Sequence, residues 1–286
     1  MAITSDATSV TITHPSNPQT SLKILHFGAT AISWKVAGTE KLWMSEAAKL
    51  DGTRAVRGGI PIVFPRFGPP KGNHPVTDSL PQHGFARNVY WEFLGQVDET
   101  SVQYGLSPDQ LTPEFREKWG YDFKLLLTFV LSETGIDLKF DVENTDSKPF
   151  DFTALLHTYF YVPEIEKTTL DGVENLNFWD IHTKTDHVSP SGVQDFHAEF
   201  DRIYKSTPRK HVIYYENKPL YTLESTPSLA DTVVWQPWLS GAKTMTDFEP
   251  KESFHTMLCV ENGAVKEFIN LKPNETFKSG LHIEAN

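Results

Sequence analysis

The sequence predicts an all-β protein, an antiparallel β-sandwich or barrel with a few short helices. Three observations carry this. Apolar and polar residues alternate with a period of two along several segments. Turn residues punctuate those segments at short intervals. Helical periodicity is scarce.

The clearest element is a hairpin. Ile136, Leu138, Phe140 and Val142 alternate with Asp137, Lys139, Asp141 and Glu143, the pattern of a half-buried strand. Phe123, Leu125, Leu127, Phe129 and Leu131 form the preceding strand, and Glu133-Thr134-Gly135 is the break between them. Further strands are expected at 22–27, 89–96, 101–106, 152–162, 211–216, 219–224, 255–260, 265–271 and 276–284. Lys272-Pro273-Asn274 separates the last pair. One helix is expected from Thr112 to Trp119. Thr112 suits the cap, Pro113 the first turn, and Glu114 complements the dipole. No linker, composition shift or repeat of 20–50 residues divides the chain, so one domain over 1–286 is expected.

Composition sets the outer limits. The chain has 286 residues, of which 39% are hydrophobic, 12% aromatic and 22% charged. That is globular composition, with enough length to bury a core. The formal net charge of −11 argues against nucleic acid as a main partner. No apolar stretch approaches the ~20 residues that span a bilayer, and Met1 to Asp6 lack the marks of a secretion signal. A cytoplasmic protein with no membrane partner is expected. The single cysteine, Cys259, excludes an internal disulfide. It sits in an apolar run and reads as a structural thiol.

Two segments hold more glycine and proline than a plain connection needs: 57–69 and 80–87. Arg57 precedes a glycine pair and Arg87 follows His83-Gly84, so both arginines are candidate anion ligands. Each also reads as a surface salt bridge. Arg66 and Lys71 add local positive charge, which favours an anionic substrate.

Three more segments carry side chains of chemical interest. On a strand, His157 shares a face with Leu155, Tyr159 and Tyr161. It reads either as a ligand contact or as a satisfied core histidine. Glu261 shares a face with Met257 and Cys259, before an expected turn at Asn262-Gly263. It reads either as a desolvated base or as a rim carboxylate. Asp201 suits vicinal sugar hydroxyls or a turn, and Trp235 and Trp238 suit a sugar face or the core. Phosphate-loop, dinucleotide, nucleophile-elbow and zinc-helix motifs are absent.

In order along the chain, Arg57-Gly-Gly-Ile-Pro-Ile-Val-Phe-Pro-Arg-Phe-Gly-Pro, Pro81-Gln-His-Gly-Phe-Ala-Arg87, Leu156-His-Thr-Tyr-Phe160, Phe200-Asp-Arg-Ile-Tyr204, Val233-Val-Trp-Gln-Pro-Trp238 and Met257-Leu-Cys-Val-Glu-Asn-Gly263 resemble the hexose-6-phosphate mutarotases of the galactose mutarotase-like superfamily. The resemblance spans nearly the whole chain. It implies a β-sandwich with the site on a concave face, a monomer, and no metal or other cofactor. The implied reaction interconverts the α and β anomers of an aldohexose 6-phosphate. The implied catalytic pair is His157 and Glu261, and the implied substrate-binding residues are Arg57, Gln82, His83, Arg87 and Asp201. Anomer exchange needs a base at the C1 hydroxyl, expected to be Glu261, and an acid at O5, expected to be His157. Glu261 is expected to keep His157 protonated near neutrality. An aldose 1-epimerase of free sugar, a cupin-type metal enzyme, a glycosidase and a non-catalytic sugar-binding module remain the rivals.

Overall fold

A computed structural model describes residues 3–70, 72 and 74–286. Lys71 lies outside the described residues. Nearly all regular structure is antiparallel strand, in three sheets of five, nine and eight strands.

The hairpin forms as its alternation dictates. Phe123–Leu131 pairs with Gly135–Asn144, with Leu131 opposite Ile136. Ile136, Leu138, Phe140 and Val142 are fully buried. Both strands lie in the nine-stranded sheet, with Thr276–Ala285 on the other side of Gly135–Asn144. One continuous apolar core joins the sheets. It holds Ile12, Leu22 and Trp34 from the five-stranded sheet, Leu127, Phe140 and Leu281 from the nine-stranded sheet, and Phe152, Val234 and Val260 from the eight-stranded sheet.

Period-two alternation then determines what the eight-stranded sheet shows on its other face. In Met257–Leu271, Leu258 and Val260 point to the core, so Met257, Cys259 and Glu261 point away from it. In Asp231–Gln236, Val234 faces the core and Trp235 faces away. That second face carries the site.

The structure corrects several expectations. Asn262-Gly263 is not a turn. It lies inside one fifteen-residue strand that replaces the two expected at 255–260 and 265–271. Asn262 pairs with Leu156 and Thr232, and Gly263 with Leu155 and Asp231. Glycine is needed there for closeness, since a Cβ would lie 2.7 Å from the Ala154 carbonyl oxygen. The strand expected at 152–162 is two strands, Phe150–Leu156 and Tyr159–Tyr161, with His157 and Thr158 between them. Asp201 lies on a strand, Phe200–Tyr204, and not in a turn. The strand expected at 89–96 runs over Glu92–Asp98, and that expected at 22–27 over Asn17–Leu25. The expected helix forms as Pro113–Trp119, with the Phe115 amide donating to Thr112 Oγ1 at 3.2 Å. A second, unexpected helix covers Trp238–Thr244.

The first glycine-rich segment runs closely against Ala31, and the second against the first at Phe64. Gly59 has φ +66°, and a Cβ there would meet the Ala31 carbonyl oxygen at 2.1 Å. Gly84 has φ +71°, and a Cβ there would meet the Phe64 carbonyl oxygen at 2.2 Å. Both obstacles are backbone and cannot swing aside. Gly84→Ala is therefore expected to destabilise the protein by about 2–4 kcal/mol through left-handed strain plus steric clash. A lowered urea midpoint with an unchanged m-value checks this; an unaltered midpoint would refute it.

Candidate active site

The pairing of Leu156 with Asn262 and of Tyr159 with Cys259 sets His157 directly opposite Glu261. The strand break at His157 lets its amide donate to the Pro61 carbonyl, at 3.0 Å, in place of the sheet ladder. The His157 ring stacks on Tyr159 with centroids 4.6 Å apart and planes within 5°. Its Nδ1 lies 3.3 Å from Glu261 Oε1. That contact is within ion-pair reach but lacks hydrogen-bond alignment. His157 Nδ1 and Glu261 Oε2 are both buried without a hydrogen-bond partner. Orphaned buried polar atoms are costly, and here the two belong to residues that line one cavity.

The cavity has a volume of about 420 Å³. It brings together His157, Glu261, His83, Gln82, Arg57 and Asp201, with Phe67, Trp235 and Met245 as apolar walls. His83 has φ +65°, rare for a residue with a side chain. Its Nδ1 accepts from the Gly68 amide at 3.3 Å, and its Nε2 lies 3.2 Å from the Gln82 side-chain Nε2. Asp201 pairs with Trp235 across the sheet. A larger groove, about 710 Å³, lies between Leu94, Ser107 and Arg116 and contains neither His157 nor Glu261.

A second cavity of about 270 Å³ adjoins the first at Arg57 and Gln82, which line both. It adds Arg54, Arg87 and Asp247. Arg57 Nη1 donates to Tyr159 Oη at 3.1 Å, and its Nε is 3.3 Å from Asp247 Oδ1. Arg54 Nη2 meets Asp247 Oδ2 at 2.7 Å. Arg87 Nη2 donates to the Gln82 carbonyl at 3.1 Å, while its buried Nε has no partner. Three guanidiniums thus face one carboxylate, leaving an excess of two positive charges. This local sign opposes the net charge of −11.

Burial dominates the protonation of the site. It holds the His157 pKa well below its usual 6.5, and Arg87 and Arg57 reinforce that. Burial likewise raises the Glu261 carboxyl well above 4.5, with Asp201 adding to it and Arg87 opposing. The expectation that Glu261 would keep His157 protonated is thereby overturned, because desolvation of the imidazolium outweighs the carboxylate beside it. Burial also pushes Asp201 up to about 7, and lowers Arg87 to about 10. His83 is held well below 6.5 by burial and by Arg87.

Arg66 does not belong to the site. It is buried, and it donates to Gly68, Pro69 and Thr77 carbonyls and pairs with Asp78 at 2.7 Å. It ties Gly68 and Pro69 to Thr77 and Asp78 and has no role as free positive charge. Trp235 lines the cavity, whereas Trp238 packs on Phe254. Arg54 and Asp247 were not anticipated. Arg54 is three positions before Arg57 in a loop without periodicity, and Asp247 arrives from nearly two hundred residues away.

The aldose 1-epimerase family matches residues 9–284. The chain belongs to the aldose 1-epimerase family. It is accordingly an isomerase with a galactose mutarotase-like fold, acting on a sugar. Among aldose 1-epimerase relatives, a Cenchrus ciliaris protein provisionally named glucose-6-phosphate 1-epimerase is 33% identical over 276 residues, covering 92% of this chain and 80% of that one. An Escherichia coli (strain K12) protein of the same provisional name is 30% identical over 256 residues, covering 88% and 82%. A crystal structure from Salmonella typhimurium, provisionally described as a mutarotase, superposes with a TM-score of 0.83 at 25% identity, over 99% of this chain and 93% of that one. Among the described residues, no helix is long and apolar enough to cross a membrane.

Proposed function

We propose that the chain interconverts the α and β anomers of D-glucose 6-phosphate and related aldohexose 6-phosphates. The observation that carries the phosphate is the charge excess beside the sugar-sized cavity: Arg54, Arg57 and Arg87 against Asp247 alone. Two net positive charges match a phosphate dianion. The provisional names of the relatives point the same way.

The chemistry belongs to His157 and Glu261. Ring opening takes the proton from the C1 hydroxyl and delivers one to O5 as C1–O5 breaks. A pair that shares one proton suffices. With the proton on His157, Glu261 takes the C1 hydroxyl proton and His157 protonates O5. The pair then holds its proton on Glu261, beside a neutral imidazole and the open aldehyde. Rotation about C1–C2 and closure by the reverse transfers give the other anomer. Burial of the pair favours its neutral arrangement, which is the arrangement that accompanies the open chain. Sugar hydroxyls bonding to the orphaned Oε2 favour the ionised one. Gln82, His83 and Asp201 are proposed hydroxyl contacts, Trp235 a wall of the sugar pocket, and Arg57 and Arg87 the phosphate ligands. The protein works as a cytoplasmic monomer, without nucleic acid or membrane as partner.

A second reading, epimerisation of free aldoses, is favoured by the family match itself. NMR saturation transfer separates the two. Irradiating the α-anomer H1 of glucose 6-phosphate is expected to deplete the β signal far more strongly with protein than without, and far more than in the same experiment on glucose. Enhancement mainly for free glucose would sink the phosphate reading.

A further inference from the structure

We infer that His157, Cys259 and Glu261 form a binding site for a thiophilic divalent cation such as Zn²⁺, which switches the enzyme off. All three residues are buried on one sheet face. One nitrogen, one sulfur and one carboxylate oxygen lie within 4.8 Å of each other. Zinc takes such donors at about 2.0–2.3 Å, which makes the edges of its tetrahedron about 3.3–3.6 Å. The His157 Nδ1 to Glu261 Oε1 separation of 3.3 Å already equals such an edge. The thiol is the donor that must shift inward, by up to about 1.5 Å.

Two further observations point to a cation. His157 Nδ1 and Glu261 Oε2 are buried with no hydrogen-bond partner, and the two residues line the same cavity. The donor set also resolves the electrostatics. Arg57 and Arg87 act on His157 and would repel a bare cation. A dication bound by a thiolate, a carboxylate and a neutral imidazole carries no net charge. Oxygen-seeking Mg²⁺ or Ca²⁺ gains nothing from the sulfur. The fourth position faces the cavity, where water or a sugar hydroxyl completes the shell. Binding releases the thiol and carboxyl protons to solvent, so affinity rises with pH.

The inhibition rests on the acid/base reading of His157 and Glu261; the binding does not. Co²⁺ titrated into the metal-stripped full chain is expected to give a thiolate-to-metal charge-transfer band that saturates at one equivalent. Zn²⁺ should abolish the band by displacement, and Cys259→Ala should lack it. In anomer exchange, Zn²⁺ should inhibit competitively with glucose 6-phosphate, with full recovery on chelation. Losing a ligand costs at least the ~10–100-fold in affinity that losing a supporting contact costs. Cys259→Ala, with unchanged activity in chelator, should therefore need at least about tenfold more Zn²⁺ for half-inhibition. No thiolate band in the wild-type protein would overturn the inference, even if the variant failed to fold. So would equal Zn²⁺ sensitivity of wild type and variant. A band without any anomer exchange would support the site while removing the proposed reaction.

Discussion

Glu261→Gln is expected to lower kcat for anomer exchange by about 10²–10⁴-fold, with KM changed only a few-fold, because a base worth that factor is removed while shape is kept. His157→Ala is expected to do the same from the acid side, and the double variant should be scarcely slower than either single one. The two residues lie 3.3 Å apart and, on the proposed mechanism, share one proton and act as a unit. Activity needs that single proton on the pair. A second proton must enter at His157, whose pKa lies well below 6.5, so the acid limb falls at lower pH than for an ordinary histidine. The last proton must leave a site where Glu261 lies well above 4.5, so the alkaline limb falls above the ordinary carboxylate range. The profile is a broad bell whose limbs belong to the pair. Glu261→Gln should reduce the bell to the single titration of His157 and remove most of the rate. A KM effect without a kcat effect in either variant would make these contact residues and not catalysts.

The residues of this pair were visible in the sequence, but their protonation was not. Strand alternation places Glu261 beside Cys259 and His157 beside Tyr159 without any structure. The state of the pair depends instead on how thoroughly the 57–69 and 80–87 segments exclude water, which is a tertiary property. The same division holds elsewhere. The hairpin of Phe123–Leu131 with Gly135–Asn144 was legible because both strands alternate cleanly and join through a short break. Asn262-Gly263 misled because its turn preference is local, whereas Gly263 is fixed by the approach of the Ala154 carbonyl from another strand. Short strands such as Asn177–Asp180 and Thr185–Val188 carry too little alternation to be seen. Arg66 was misjudged because its partners, at Thr77 and Asp78, are spent on a loop that the sequence does not show folding back.

Arg87→Ala is expected to weaken hexose 6-phosphate by about 10–150-fold in KM, the equivalent of the ~1.5–3 kcal/mol of a charge-assisted bond, and to leave free hexose nearly unchanged. Arg87 is the sharper probe of the phosphate because its buried Nε has no partner to lose. Arg57→Ala should cost at least as much on the phosphate substrate. It should also lower kcat modestly on both substrates, since Arg57 donates to Tyr159 Oη, and Tyr159 is the plate on which His157 stacks. The two arginines thus predict different signatures from one cavity. Arg87 acts through substrate affinity and through the charge it brings to His157 and Glu261, whereas Arg57 also sets the posture of the His157 imidazole. Arg57→Lys keeps the charge but loses the fork that spans Asp247 and Tyr159, so it should recover part of the KM and little of the kcat. Equal losses on glucose 6-phosphate and glucose for Arg87→Ala would remove the phosphate assignment and move the enzyme to free aldoses. Loss on the phosphate alone requires the 6-phosphate to reach the second cavity while C1 and O5 stay at His157 and Glu261. The sugar-sized cavity and the arginine cavity are neighbours that share Arg57 and Gln82 as lining residues, which suits that geometry.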